Sequence, residues 1–96
     1  MPLQLQDRFA PSQTQLSTTV DGATVVLDLE RGCYYSLRQV AATIWSLLEQ
    51  PRTLDELLRE LRERYAVDPA VCRADTEELL AQLLGRGLIV REPVAP

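Results

Sequence analysis

The residues that most often carry enzyme chemistry are scarce in this sequence. Its 96 residues include no histidine, although histidine is the commonest general base and a frequent metal ligand. The two cysteines, Cys33 and Cys72, lie far apart in the chain and form no CxxC pair. A cysteine needs a basic partner to become a good nucleophile, so we expect both to be small packed side chains. Neither GxxxxGK[ST] nor GxGxxG is present, so no phosphate-binding loop is predicted.

The carboxylates follow a pattern that is typical of solvated helix faces. Asp55 with Arg59 and Glu60 with Arg64 stand four residues apart on one predicted helix, the spacing of intrahelical ion pairs. We therefore predict that the protein is not an enzyme, that it holds no metal and no cofactor, and that it works by binding.

The charge distribution argues against DNA as the partner. The net charge is −4, and all 10 basic residues are arginine. The third predicted helix would be the recognition helix of a DNA-binding protein, yet it carries four acids and one base: Asp68, Asp75, Glu77, Glu78 and Arg73. Nucleic-acid binding normally needs a basic face, so no nucleic-acid partner is expected. A DNA-binding transcription regulator remains the alternative from another functional class.

The ends of the sequence carry no targeting signal. The first residues, MPLQLQDRFAPSQTQ, have no basic region followed by an apolar one. No apolar run approaches the roughly 20 residues that span a bilayer. We therefore expect a cytoplasmic protein with no membrane partner.

Three strands are predicted near the amino terminus. Residues 1–15 have no apolar period and are predicted to form a flexible arm in which Phe9 contacts the body of the protein. Strands follow over residues 16–20, 23–29 and 33–37. Asp21-Gly22 between the first two is a strong hairpin signal. Together they predict an antiparallel β-meander.

Three helices are predicted to follow the meander. The first covers residues 39–50 and ends before Pro51. The second begins after Thr53 with Glu56 as its capping-box partner, and the third opens at Asp68-Pro69 and ends before two glycines. An apolar segment over residues 88–90 and a frayed tail over 92–96 complete the chain. The predicted fold is α+β and winged helix-turn-helix-like: a three-stranded antiparallel meander, three helices and a short apolar end, in one domain over residues 16–91.

The third strand, CYYSL, raises the question of what pairs with its second edge. Natural proteins usually protect a strand edge with proline or charge, and this strand has neither. An extended peptide could add to such an edge and place alternate side chains against the nearest helix. The chain's own termini or a second copy of the protein could equally cover it.

The ordered motifs of the chain resemble the PqqD-like family. The residues that carry the resemblance extend over roughly residues 20–91: Val26-Leu27-Asp28, Gly32-Cys33-Tyr34-Tyr35-Ser36-Leu37, Ala41, Ile44-Trp45, Tyr65, Val67-Asp68, Asp75 and Gly87-Leu88-Ile89. The family often has Asn after the leucine of the third strand, where this chain has Arg38. That departure puts the cap of the first helix in doubt.

The resemblance implies a RiPP recognition element, a domain that binds the leader of a ribosomally made precursor peptide. In this family the leader adds as an antiparallel strand to the third strand and lies in a groove against the third helix. The stretch RYAVDPAVCRAD looks most like stand-alone proteins of lasso-peptide biosynthesis. These deliver the precursor to a separate leader peptidase of the cysteine-protease type. A PqqD-type peptide chaperone for a radical-SAM enzyme is kept as the alternative.

Thirteen residues are candidates for the peptide site. Strand residues 33–37 should supply the backbone groups, with Tyr35 at the groove margin and Leu37 facing the core. On the third helix, Asp75 and Glu78 would meet a basic leader residue, and Arg73 an acidic one if it turns inward. The full set is Val26, Cys33, Tyr34, Tyr35, Ser36, Leu37, Val71, Cys72, Arg73, Asp75, Thr76, Glu78 and Leu79.

Overall fold

The computed structural model describes residues 3–13 and 15–92. The strands are β1 (Arg8–Pro11), β2 (Gln15–Val20), β3 (Ala23–Asp28), β4 (Cys33–Leu37), β5 (Arg52–Thr53) and β6 (Ile89–Glu92). The helices are α1 (Val40–Leu47), α2 (Leu54–Arg64) and α3 (Pro69–Gly85). The α+β class is confirmed, with a meander that precedes three helices in the described residues.

The first sheet is the predicted meander, with strand order β2-β3-β4 and antiparallel pairing throughout. Asp21 and Gly22 have φ values of 50° and 78°, as the tight turn between two twisted strands requires. β3 ends at Asp28, one residue earlier than the sequence predicts. The reason is a turn in which the Asp28 carboxylate accepts hydrogen bonds from the backbone N–H groups of Glu30 and Arg31.

A second sheet was not predicted from the sequence. Its order is β5-β1-β6, and β1 pairs with β6 from Arg8↔Glu92 to Pro11↔Ile89. The prediction of a flexible arm is therefore wrong for residues 8–11, which form the central strand of this sheet. The cause is packing, because the Phe9 side chain is completely buried in the core. Of the predicted frayed tail, Glu92 is the last residue of β6, and residues 93–96 lie outside the described part.

A buried ion pair fastens the segment before β1. The Asp7 side chain is 1% exposed. Its carboxylate accepts hydrogen bonds from the Arg91 guanidinium on β6 and from the backbone N–H of Gln4. The Asp7 carbonyl accepts the N–H of Leu54, the first residue of α2. This segment therefore links the last strand to the start of the second helix.

Local capping explains where two of the helices begin and how one ends. Thr53 and Glu56 form the predicted capping box at α2. The Asp68 carboxylate accepts the backbone N–H groups of Ala70 and Val71 at α3. At the end of α3, Gly87 has a φ of 71°. The N–H of the next residue, Leu88, bonds back to the Leu83 carbonyl, which turns the chain into β6.

Helix α1 begins without a side-chain cap. Its N-cap residue, Gln39, has φ 55° and ψ −125° and makes no side-chain capping bond. This backbone geometry is normally occupied by glycine. The strand-to-helix junction between β4 and α1 is therefore strained.

The core joins both sheets to all three helices. Its buried members are Phe9, Val26, Leu37, Ile44, Trp45, Leu47, Leu48, Leu54, Leu57, Leu58, Leu61, Cys72, Leu80, Leu83, Leu88 and Ile89. None of the helices in the described part of the chain has the length and apolarity that crossing a membrane requires.

Candidate functional site

Strand β4 has one unpaired edge. Within residues 3–13 and 15–92, β3 is the only strand that pairs with it. Its side chains alternate as predicted: Cys33 and Tyr35 are half-buried and Leu37 is buried, whereas Tyr34 and Ser36 are exposed on the other face. The N–H and C=O groups along the second edge are therefore available to another extended chain.

An apolar pocket of about 250 Å³ lies between α1, the end of α2 and the segment of α3 from Val71 to Leu79. Its lining is Val40, Ala41, Ile44, Leu61, Tyr65, Val67, Val71, Cys72, Asp75, Thr76 and Leu79. Only Arg38 and Gln39 separate β4 from Val40. A cavity of about 150 Å³ can hold a benzene molecule, so this pocket can receive a large aliphatic or aromatic side chain.

The pocket brings together five of the thirteen predicted site residues, all from α3. Val71 is 55% exposed at the mouth, Leu79 is half-buried, and Cys72 and Thr76 form part of the buried floor. Asp75 is exposed and gives the otherwise apolar lining an acidic group.

The five predicted residues of β4 do not line this pocket, and three further predicted site residues also lie away from it. Val26 is completely buried in the core and lies beside its cross-strand partner Tyr35 on the inner face of the sheet, so it packs against the strand and not in the pocket. Arg73 does not turn inward, because its Nε donates to the Glu77 carboxylate at 2.7 Å on the outer side of α3. Glu78 lines a separate depression beside Arg91.

Six pocket residues were not predicted as site residues, and they come from α1, α2 and the link after α2. Val40 and Val67 are 38% and 41% exposed, and this exposure cannot be seen in the sequence. Tyr65 lies beside α1, and its hydroxyl is 2.8 Å from the Thr43 Oγ1. This contact joins the middle of α1 to the end of α2 at the pocket wall.

The middle of β4 is joined to the end of α3 through Tyr35. The Arg86 guanidinium carbon lies 4.5 Å from the centroid of the Tyr35 ring, within the range of a cation–π contact. The Cys33 thiol donates to the Tyr35 hydroxyl at 3.4 Å. This hydrogen bond, followed by burial, raises the pKa of Tyr35 above its ordinary value of 10.0, whereas Arg31 and Arg86 oppose the rise. Tyr35 is therefore neutral at physiological pH.

These contacts fix the direction of α3 relative to β4. The turn before β4 meets the end of α3 where Arg31 donates to the Arg86 carbonyl, and the chain after β4 enters the pocket beside α3 at Val40. We call the surface between the free edge of β4 and α3 the β4–α3 groove. Groups of three or more His, Cys, Asp or Glu side chains that could hold a metal ion are absent from the described ranges.

Comparison with known proteins identifies relatives of this fold. The profile of the family described as coenzyme PQQ synthesis protein D (PqqD) matches residues 23–89. No curated protein matches significantly.

Two solved structures are similar to this chain. One is TbiB1 in complex with the TbiA(beta) leader peptide, 30% identical, with a TM-score of 0.78 over 91% of this chain and 99% of that one. The other is lasso peptide synthetase B1 complexed with the leader peptide; it is 24% identical, with a TM-score of 0.71 over 85% of this chain and 96% of that one, and shows the shared fold. The resemblance predicted from the motifs is thus confirmed, and the chain belongs to the PqqD family.

Proposed function

We propose that this protein binds the leader of a ribosomally made precursor peptide by adding it as an antiparallel strand to β4. The observation that carries the proposal is an unpaired strand edge together with an apolar pocket whose lining begins at Val40, three residues after the strand ends. Strand addition supplies main-chain hydrogen bonds, and pockets for alternate side chains supply selectivity. Two similar proteins were each solved in complex with a leader peptide, which supports leader binding as the function.

The magnitudes show why the pocket is needed. A micromolar complex requires about 8 kcal/mol of net binding free energy. Each main-chain hydrogen bond contributes only about 0.5–1.5 kcal/mol after exchange with water, and ordering a disordered leader costs about 2–5 kcal/mol. The five residues of β4 are therefore too few to hold the leader by main-chain bonds alone. One or two apolar anchors, entering between Val40, Val71 and Leu79, supply the remainder.

The protein then presents the bound leader to a maturation enzyme. We propose lasso-peptide biosynthesis as the setting, with a separate leader peptidase of the cysteine-protease type as the enzyme. The similarity to lasso peptide synthetase B1, solved with the leader peptide, supports this setting. The arrangement calls for no catalytic group in this chain, because its task is to hold the leader extended while another protein cleaves it.

The experiment that tests the proposal is a fluorescence-polarisation titration. The probe is the labelled leader of the precursor encoded beside this protein's gene, with a labelled DNA duplex as the control. We expect saturable peptide binding and no retention of DNA at low or high salt. Salt-dependent DNA binding without peptide binding would instead support a transcription regulator. Binding of the leader only together with a radical-SAM enzyme would support the chaperone alternative.

A further inference from the structure

Two arginines meet at the end of the β4–α3 groove that lies away from the pocket. Arg86 is the C-cap residue of α3 and lies over the Tyr35 ring. Arg31, in the turn before β4, donates from its Nη1 to the Arg86 carbonyl at 3.0 Å. We call Arg31 and Arg86 the arginine pair.

The positive charge of the pair is only partly compensated within the protein. The Arg31 Nε lies 3.9 Å from Asp28 Oδ2, and the other oxygen of that carboxylate accepts two backbone N–H groups. In the described part of the chain, no carboxylate lies within salt-bridge distance of Arg86. Arg59, Arg64 and Arg73, in contrast, each pair with an acid one helical turn away. A carboxylate of a bound peptide could therefore form an ion pair with the Arg86 guanidinium.

The contacts of Arg86 fix the position of its guanidinium but leave N–H donors available for a ligand. Its position at the carboxyl end of α3 is favourable because the helix dipole stabilises a cation there. The Tyr35 ring contacts the guanidinium and supports it. A guanidinium has five N–H donors, and a cation–π contact needs none of them. The side chain is thus positioned while its hydrogen-bonding capacity remains for a ligand.

The direction of the bound strand decides which part of a leader reaches the pair. β4 runs from Cys33, near the pair, to Leu37, near the pocket. An antiparallel peptide therefore enters at the pocket and leaves past the arginine pair. Strand residues rise about 3.3 Å each, so the five positions of β4 separate the two ends of the groove by about 13 Å.

We infer that the arginine pair is a specificity site for a carboxylate side chain of the leader. This inference rests on the proposed function. The acidic residue is located about four to six positions C-terminal to the residue that fills the pocket. The groove then carries opposite charges at its two ends, with Asp75 at the pocket and the arginine pair at the exit. This polarity favours one direction of the peptide and one order of its charges.

The test combines charge exchange in the leader with charge exchange at Arg86. The probe is the leader of the precursor encoded beside the gene, with each Asp or Glu replaced in turn by Lys. One replacement, C-terminal to the apolar anchor, should weaken binding to the wild-type protein by about fivefold. Arg86→Glu should weaken binding of the unmodified leader similarly and restore binding of that one Lys peptide. Arg59→Glu on the outer face of α2 is the matched control and should change neither affinity.

Two further measurements separate recognition from folding. Arg86→Gln removes the positive charge without adding an acid at the helix end. This variant should bind the unmodified leader and the Lys peptide with equal affinity. Thermal unfolding of each variant shows whether the fold is kept. The wild-type protein could bind the leader while Arg86→Glu restores the binding of none of the Lys peptides. The inference would then be overturned, and the proposed function would stand. If the wild-type protein does not bind the leader at all, both are overturned.

Discussion

Strand β1 of the second sheet and strand β4 of the first sheet differ in how they are paired. In the second sheet, β1 is paired on both sides, and the Phe9 side chain beneath it is completely buried. In the first sheet, β4 is paired only with β3 in the described residues, and Tyr34 on its outer face is 69% exposed. The second sheet therefore stabilises the domain by pairing the early strand β1 with the late strand β6. The first sheet leaves backbone groups of β4 for a partner.

The largest expected effect is a loss of stability when the buried Phe9 ring of the second sheet is removed. Phe9→Ala should lower the free energy of unfolding by about 3–5 kcal/mol, because it leaves a cavity among core residues. Urea denaturation measures this loss. Leu16→Ala, on the exposed strand β2, is the control and should change stability by no more than about 0.5 kcal/mol. Equal losses for both variants would remove the distinction between the sheets.

The buried ion pair of the second sheet gives the next largest effect. Asp7→Ala should cost about 3 kcal/mol, because Arg91 then keeps a largely buried charge without its carboxylate. Chemical denaturation at neutral pH is the measurement. The double variant Asp7→Ala/Arg91→Met should recover part of the loss, since it removes both charges. A double variant less stable than the single one would show that the pair is not the source of the effect.

The groove beside the first sheet should respond in affinity rather than in stability. Leu79→Asp places a charge in the apolar pocket and should weaken leader binding at least tenfold, a loss of about 1.4 kcal/mol. Tyr35→Ala should act in the same direction. Ala81→Asp is the control, because it adds the same charge to the same helix outside the pocket. Wild-type affinity in a correctly folded Leu79→Asp protein would contradict the assignment of the pocket.

The junction between β4 and α1 should become more stable when its strain is relieved. Gln39 occupies a backbone region that favours glycine, so Gln39→Gly should raise the free energy of unfolding by about 1 kcal/mol. Thermal denaturation tests this. Arg38→Gly beside it is the control, and it should not stabilise the protein. A destabilised Gln39→Gly variant would show that the junction is not strained.

The smallest effect is a pH dependence at the start of α2, next to the second sheet. The backbone N–H of Thr53 lowers the pKa of Glu56 below its ordinary value of 4.5. A lowered carboxyl pKa means that the stabilisation is complete above pH 4.5 and is lost as the pH falls through the folded-state pKa. Glu56→Gln should therefore be less stable than the wild type at pH 7, and the difference should shrink toward pH 3. A difference that does not depend on pH would exclude this carboxylate as its source.

Short-range signals made the first sheet and the helices predictable. Asp21-Gly22, the Thr53–Glu56 capping box and Asp68-Pro69 each act within a few residues, and each is present as predicted. The second sheet depends on pairing between distant segments, such as Arg8 with Glu92, and the stretch RFAP has no alternation that would mark a strand.

The pocket was only half predictable for a related reason. The helical period predicted that Val71, Asp75 and Leu79 of α3 lie close together, and all three line the same pocket in the structure. The same period cannot show which other helix crosses that face, so Val40 and Tyr65 were not predicted as site residues. Arg86 was also missed as a binding group, because its contact with Tyr35 depends on where α3 ends relative to β4.

The most direct measurement of the central proposal is amide hydrogen exchange, resolved by residue with NMR, in the presence and absence of the leader. If the leader adds to β4, the outward-pointing amides among Cys33–Leu37 should exchange much more slowly when it is bound. The amides of Arg8, Phe9 and Ala10 in β1 should keep their rates. A saturating leader that leaves the β4 amides at their free rates would contradict strand addition.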